Sequence, residues 1–170
     1  MKFAYADPPY IGMAYRYVEN QEVDHAELIQ RLCDEYPDGW ALSLHSPGLK
    51  TILPMCPDDV RVMAWVKPFA SFKPGVDPAY TWEPVIVRGG RKRTREQLTV
   101  RDWVSANITL KRGMVGAKPD LFSYWLFHVL NIEEGDTFHD LYPGTGSVTN
   151  ALAKWFLINS AFQYPLVGVG

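Results

Sequence analysis

The clearest chemical signal in the chain is Asp7-Pro8-Pro9-Tyr10. It follows an apolar run, Phe3-Ala4-Tyr5-Ala6, that reads as a short buried strand. The prolines lack the N–H a central ladder needs and fix φ, so the turn is stiff and its carbonyls point in set directions. A carboxylate (Asp7), a rigid carbonyl (Pro8) and a ring face (Tyr10) are thereby presented together at a strand end. That set suits a flat, polar heterocycle carrying an amino group: the oxygens accept its amino protons and the tyrosine stacks on its ring. Read alone, the four residues also fit a tight surface turn after an edge strand. A second candidate is Gly144-Thr145-Gly146, between a strand-like and a helix-like stretch. Glycines there let a nucleotide-like cofactor approach the backbone, and the helix start offers free N–H groups. A third is Arg91, Lys92, Arg93 and Arg95, a basic run suited to a polyanion.

Several elements must position these groups. Asp24-His25-Ala26-Glu27 has the form of a capping box, and Leu28, Ile29, Leu32, Cys33 and Tyr36 follow at helical spacing, which predicts a helix over 25–36. Strands are expected at 40–44, 61–66, 80–87 and 137–142, with a closing strand at 165–170 and a short helix near 48–54. His45 falls at a strand end where it could touch substrate, and Glu83 stands inside an otherwise apolar strand. Residues 11–21 and 69–80 read as loops. Pro119 and Asp120 open a helix with a stripe of Leu121, Phe122, Trp125, Leu126, Val129 and Leu130. A last helix is expected over 147–158.

The composition is that of an ordinary globular chain, 170 residues with 47% hydrophobic and 21% charged residues, which argues against wholesale disorder. Cys33 and Cys56 offer neither a disulfide framework nor a zinc spacing, so no metal is expected. No apolar run approaches the ~20 residues of a membrane span and no signal-peptide h-region opens the chain, so the expectation is a cytoplasmic protein with no membrane partner. The net charge of −2 conceals an asymmetry: residues 88–113 carry eight basic and two acidic side chains. One basic segment on an acidic body suits a polyanion partner. Its glycines, Gly89 and Gly90, suggest flexibility, and Trp103 reads either as an aromatic for stacking or, the favoured reading, as a plug tying the loop to the core. No repeat and no second domain is visible, so 1–170 reads as one domain with a basic insertion at about 88–113.

Asp7-Pro8-Pro9-Tyr10 resembles the catalytic motif of the amino-group DNA methyltransferases, which act on adenine N6 or cytosine N4. Asp140 to Thr149, with Tyr142, Gly144, Thr145, Gly146 and Ser147, resembles the family's S-adenosyl-L-methionine motif. Lys118-Pro119 resembles the helix start that precedes it, and Trp65-x-Lys67 and the strand around Glu83 resemble the strands after the catalytic turn. The catalytic motif comes about 137 residues before the cofactor motif, the permuted order of the β class. The resemblance implies an α/β, Rossmann-like methyltransferase fold: a mixed, mostly parallel sheet with helices on both faces, circularly permuted and short at the C-terminus. It puts the cofactor strand beside the catalytic strand in the middle of the sheet. It implies a flipped adenine held by Asp7, Pro8, Pro9 and Tyr10, with the stack on Tyr10 worth ~1–3 kcal/mol. The cofactor would meet Asp140, Tyr142 and the 144–147 turn, with Lys118 near its carboxylate. Where the family has a ribose-binding acid, this sequence has Gly170, which implies a weaker hold on the cofactor. The only segment for target recognition is 88–113, which implies low sequence specificity or a second subunit, either a homodimer mate or another chain. A minimal form of this kind would suit a phage protein, in an infected or bacterial host cell. Three readings stay open beside adenine in DNA: cytosine N4, adenine in RNA, and a nucleic-acid-binding homologue without strong catalysis.

Overall fold

The computed structural model describes residues 1–16, 22–69, 74–108 and 117–163, and side chains as far as residue 158. Six strands form one sheet: β1 (Lys2–Ala6), β2 (Gly39–Ser43), β3 (Arg61–Val66), β4 (Trp82–Gly89), β5 (Trp103–Ser105) and β6 (Thr137–Asp140), in the order β5-β3-β4-β2-β1-β6. β1 pairs parallel with β2 and β6, and β3 parallel with β5, while β4 runs antiparallel to β2 and β3. β4 alone is reversed, so the sheet is mixed and mostly parallel.

The run Phe3-Ala4-Tyr5-Ala6 is apolar at every position because both faces of β1 are covered. Phe3 and Tyr5 point into a core shared with α3 (Asp120–Leu130) and α4 (Ser147–Gln163). Ala4 and Ala6 point into a second core with Leu28, Ile29 and Leu32 of α1 (His25–Glu35) and Ile52 of α2 (Leu49–Ile52). Asp24 caps α1 as expected, its Oδ1 accepting from the N–H groups of Ala26 (2.9 Å) and Glu27 (3.0 Å). α3 closes on Asn131 in the left-handed region (φ 54°), with the Ile132 N–H returning to the Phe127 carbonyl.

Several boundaries differ from the sequence expectation. β4 begins and ends two residues later than expected, which brings Arg88 and Gly89 into the ladder. The short helix expected at 48–54 is three successive turns, 3₁₀ at Ser46–Gly48, α2, and 3₁₀ at Leu53–Met55. β6 stops at Asp140 and is the sheet edge among the described residues, beside β1 but not in the middle of the sheet. α4 runs to Gln163. Leu121, expected in the buried stripe of α3, is 54% exposed, and Phe127 and Ser123 are buried instead. The closing strand at 165–170 with Gly170, and the ends of loops at 17–21, 70–73 and 109–116, lie outside the described residues.

The glycines at 89 and 90 give a close crossing rather than flexibility. Gly89 has φ +69°, and a Cβ there would stand 2.8 Å from the Asp38 carbonyl oxygen. The Gly90 N–H donates to that same carbonyl at 2.8 Å. Trp103 is not the plug either, since its side chain is 42% exposed, with the Arg101 guanidinium over its ring at 5.4 Å. Two core indoles tie this segment down instead: Trp125 Nε1 donates to the Arg101 carbonyl (2.9 Å) and Trp65 Nε1 to the Ala106 carbonyl (2.8 Å).

Candidate active site

β1, β2, β3 and β6 end, and β4 begins, along one edge of the sheet. Asp7, His45, Lys67, Glu83 and Asp140 all stand on that edge. Tyr5 and Asp140 are register partners, and the Leu141 N–H donates to the Tyr5 carbonyl (2.9 Å). The Asp7 turn and the glycine turn thus leave the sheet side by side, which joins two motifs far apart in the chain.

The glycine turn is tight. The Gly146 N–H donates to the Pro143 carbonyl at 2.6 Å, and Gly144 and Gly146 have φ of +49° and +71°, which few side chains tolerate. Gly144 and Thr145 are exposed, while Tyr142 packs half-buried against the second core. Ser147 Oγ accepts the Lys118 backbone N–H (3.2 Å), so the start of α4 fixes the entry to α3. Ser147 is therefore spent on joining two elements. Asp140 Oδ2 accepts from the Thr149 hydroxyl (3.2 Å), and its Oδ1 is buried without a hydrogen-bond partner. Burial raises the pKa of this carboxyl and the charge of Asp7 adds to the rise, against hydrogen bonds from Thr149 and Tyr142.

Beside it lies a buried charge cluster. Lys118 is 6% exposed; its Nζ stands 3.1 Å from Asp7 Oδ1 and 3.2 Å from Glu83 Oε2. Lys67 donates to Glu83 Oε1, and the Tyr10 hydroxyl donates to Glu83 Oε2 (3.0 Å). The Lys118 ammonium also faces the rings of Trp65 (5.1 Å) and Phe122 (5.7 Å). Burial works against its charge, but Asp7 and Glu83 outweigh burial and hold its pKa above the usual value. Glu83 shows the same contest: burial would raise its pKa, yet Lys118 and Lys67 bring it below the ordinary range. For Asp7, burial wins and Glu83 adds to it, so the carboxyl is raised despite Lys118. Asp7 Oδ1 is buried against the Lys118 ammonium at 3.1 Å and takes no other hydrogen bond.

Pro8 is buried and Pro9 half-buried. The Tyr10 ring lies parallel to His45 (centroids 5.6 Å, 10° between planes), and Tyr80 meets His45 edge-on at 4.7 Å. His45 thus supports the catalytic-looking tyrosine. Lys118, expected near a cofactor carboxylate, is engaged by two protein carboxylates. Lys67 and Glu83 belong to the site but received no site role from the sequence. An acid inside the apolar run Trp-Glu-Pro-Val-Ile-Val was the signal for Glu83.

The basic residues stand elsewhere. β4 is reversed, so residues 88–97 lie at the opposite end of the strands from Asp7. Arg91 donates from Nη2 to both Asp136 oxygens (2.6 and 2.7 Å) and from Nε to the Asn131 carbonyl (3.2 Å). Arg93 donates to the carbonyls of Leu98 and His128. Lys92 and Arg95 are exposed. Arg61, Arg93, Arg95 and Arg101 line a groove of about 340 Å³ at this far end. Lys111 and Arg112 lie outside the described residues. Among the described residues there is no cluster of metal-ligating side chains, and no helix is long and apolar enough to cross a membrane.

Neither a protein-family model nor any curated protein matches the sequence. The fold does have counterparts. M1.HpyAVI in complex with SAM superposes with a TM-score of 0.62 at 13% identity, over 91% of this chain and 77% of that one. A second structure of M1.HpyAVI gives 0.52 at 12% identity, over 91% and 75%. The fold of this chain is a Rossmann-like methyltransferase fold. In that fold β1 with Asp7 and β6 with Asp140 are neighbouring strands, and their ends bring the two motifs together.

Proposed function

We propose that the chain is an S-adenosylmethionine-dependent DNA methyltransferase of the permuted β class, acting on the N6 amino group of adenine. One observation carries the reading: two neighbouring strands lead into partly buried carboxylates side by side, Asp7 ion-paired to Lys118 and Asp140 with an oxygen that has no hydrogen-bond partner. Buried polar atoms are normally satisfied, so the open oxygen of Asp140 fits a ligand donor group, with the Asp7 carboxylate beside it as a second acceptor. An amino group of a base fits Asp7. A cationic cofactor with an ammonium group fits Asp140 and the Gly144–Gly146 turn. The structural likeness to M1.HpyAVI and the order of the two motifs support the same reading.

When bound, S-adenosylmethionine supplies an electrophilic methyl group on a sulfonium. The residues of this chain orient the nucleophile. Asp7 and the Pro8 carbonyl accept the two amino protons, which favours rehybridisation of a nitrogen whose lone pair is delocalised into the ring. Tyr10 offers its ring, fixed by Glu83 and His45, as a stacking surface. Acceleration then comes chiefly from positioning and fixed charges. The raised pKa of Asp7 also suits it to take the proton released on transfer. The Asp7 carboxylate and its partners are partly buried at the sheet edge, so the target base would leave its stack to reach them. The arginine-lined groove at the far end is the candidate contact for backbone phosphates remote from the target base.

The test is transfer of a labelled methyl group from S-adenosylmethionine to unmethylated DNA, followed by nucleoside analysis. N6-methyladenine from the wild type and none from Asp7→Ala is the expected result. N4-methylcytosine, or label in RNA alone, would reassign the substrate. No label in any nucleic acid would sink the enzyme reading.

A further inference from the structure

We propose that Glu83 and Lys118 are positioning residues that hold Asp7 and Tyr10 at a fixed spacing, and that Lys118 does not anchor the cofactor's carboxylate. The inference rests on the methyl-transfer reading of the cleft. Glu83 is the one acid in β4, and its side chain is 10% exposed. An isolated carboxylate in that place is costly, so its partners show what holds it there. Oε1 takes Lys67; Oε2 takes both Lys118 and the Tyr10 hydroxyl. Lys118 reaches on to Asp7. The contacts Tyr10–Glu83–Lys118–Asp7 therefore close a ring over the catalytic turn. The two groups that would grip one base, an acceptor and a stacking ring three residues apart, are tied through a strand more than 70 residues later. With Lys67 on Glu83, the cluster holds two carboxylates and two ammoniums and is electrically neutral, so it can be buried with Asp7 ionised.

The groups facing Asp7 are Lys118 at the entry to α3, Glu83 on β4, Lys67 after β3, Tyr5 on β1 and Asp140 at the end of β6. Lys118 favours the ionised form of Asp7 and Glu83 disfavours it, so removing each must move Asp7 in opposite directions.

The experiment compares wild type, Lys118→Met, Lys118→Arg and Glu83→Gln in three readouts. These are S-adenosylmethionine affinity by calorimetry, single-turnover transfer to DNA, and titration of the Asp7 carboxyl by carbon NMR. Expected are an affinity within about threefold of wild type and a transfer rate lowered roughly 10²-fold in Lys118→Met and Glu83→Gln, as for lost positioning. Asp7 should titrate higher in Lys118→Met and lower in Glu83→Gln, and Lys118→Arg should recover part of the rate. Affinity lost about tenfold or more in Lys118→Met, with Asp7 unmoved, would overturn the proposal in favour of a cofactor anchor. If Lys118→Met does not fold, the isosteric Glu83→Gln decides: an unmoved Asp7 titration or an unchanged rate overturns it. A wild type that transfers no methyl group counts against the methyl-transfer reading, whereas the Asp7 titrations need no turnover and still test the ring.

Discussion

Asp136 at one end of the sheet and Asp7 and Asp140 at the other are acids in opposite conditions, while Glu83 beside Asp7 is held by Lys67, Lys118 and Tyr10. At the far end Asp136 has a side chain only 4% exposed, yet it is saturated: Arg91 donates twice, the Met1 ammonium pairs with Oδ1 at 2.7 Å, and the Glu133 N–H donates to Oδ2 at 2.9 Å. Although burial alone would raise it, these partners bring its pKa down to about 2. At the near end Asp7 and Asp140 are raised, Asp7 with Lys118 as its ion-pair partner and Asp140 with an oxygen that no group bonds. The contrast separates structural acids from site acids. A saturated carboxylate stabilises the fold, whereas an unsaturated one costs stability and is kept for something that binds.

Substitutions at the two ends should therefore part company. Asp7→Ala should lower methyl transfer roughly 10²–10⁴-fold, measured under single turnover, with unfolding unchanged or slightly harder. A stability loss as large as at Asp136 would break the contrast. Asp140→Ala should weaken S-adenosylmethionine binding by ~1.5–3 kcal/mol, about 10–150-fold, seen by calorimetry. Asp136→Asn should instead cost about 2 kcal/mol of stability in denaturant melts and leave cofactor binding alone. The pH dependence follows the same division. The depressed pKa of Asp136 contributes stability that is present above the ordinary carboxylate value and lost as pH falls toward about 2. Asp7 and Asp140, raised in the fold, act in the other sense: their contribution is full below the ordinary value and is lost as pH rises through their folded pKa. Asp136→Asn should thus flatten the acid limb of the stability profile, and Asp7→Asn should lift stability near neutral pH. The smallest effect is expected at Arg95: Arg95→Ala should weaken DNA binding evenly across sequences and reduce the salt slope by about one.

Much of the near end was legible because its motifs are local. Asp7–Tyr10, Asp140 and the glycine turn each declare themselves within a few residues, and a run apolar at every position foretold that β1 is covered on both faces. The contacts of Lys118 were not legible, because its partners Asp7 and Glu83 come from the end of β1 and from β4 and no local pattern encodes that meeting. The far end was misread for a related reason. Arg91 and Arg93 look free in a basic run, and only the reversal of β4 brings Arg91 to Asp136 and Arg93 to the end of α3. Gly89 and Gly90 look like slack, although the approach of the Asp38 carbonyl makes them a fixed crossing. Trp103 lies on a three-residue edge strand where only Val104 turns inward, so an apolar letter there did not mean burial.

The most direct test of the central claim, that Asp7 and Asp140 frame one cofactor-and-base cleft, is titration calorimetry with S-adenosylmethionine. Wild type, Asp140→Ala and Asp136→Asn would be compared at equal folded fraction. Micromolar binding by wild type and Asp136→Asn, weakened about 10–150-fold in Asp140→Ala, is the predicted result. Absence of binding at millimolar cofactor, or binding indifferent to Asp140, would contradict the claim.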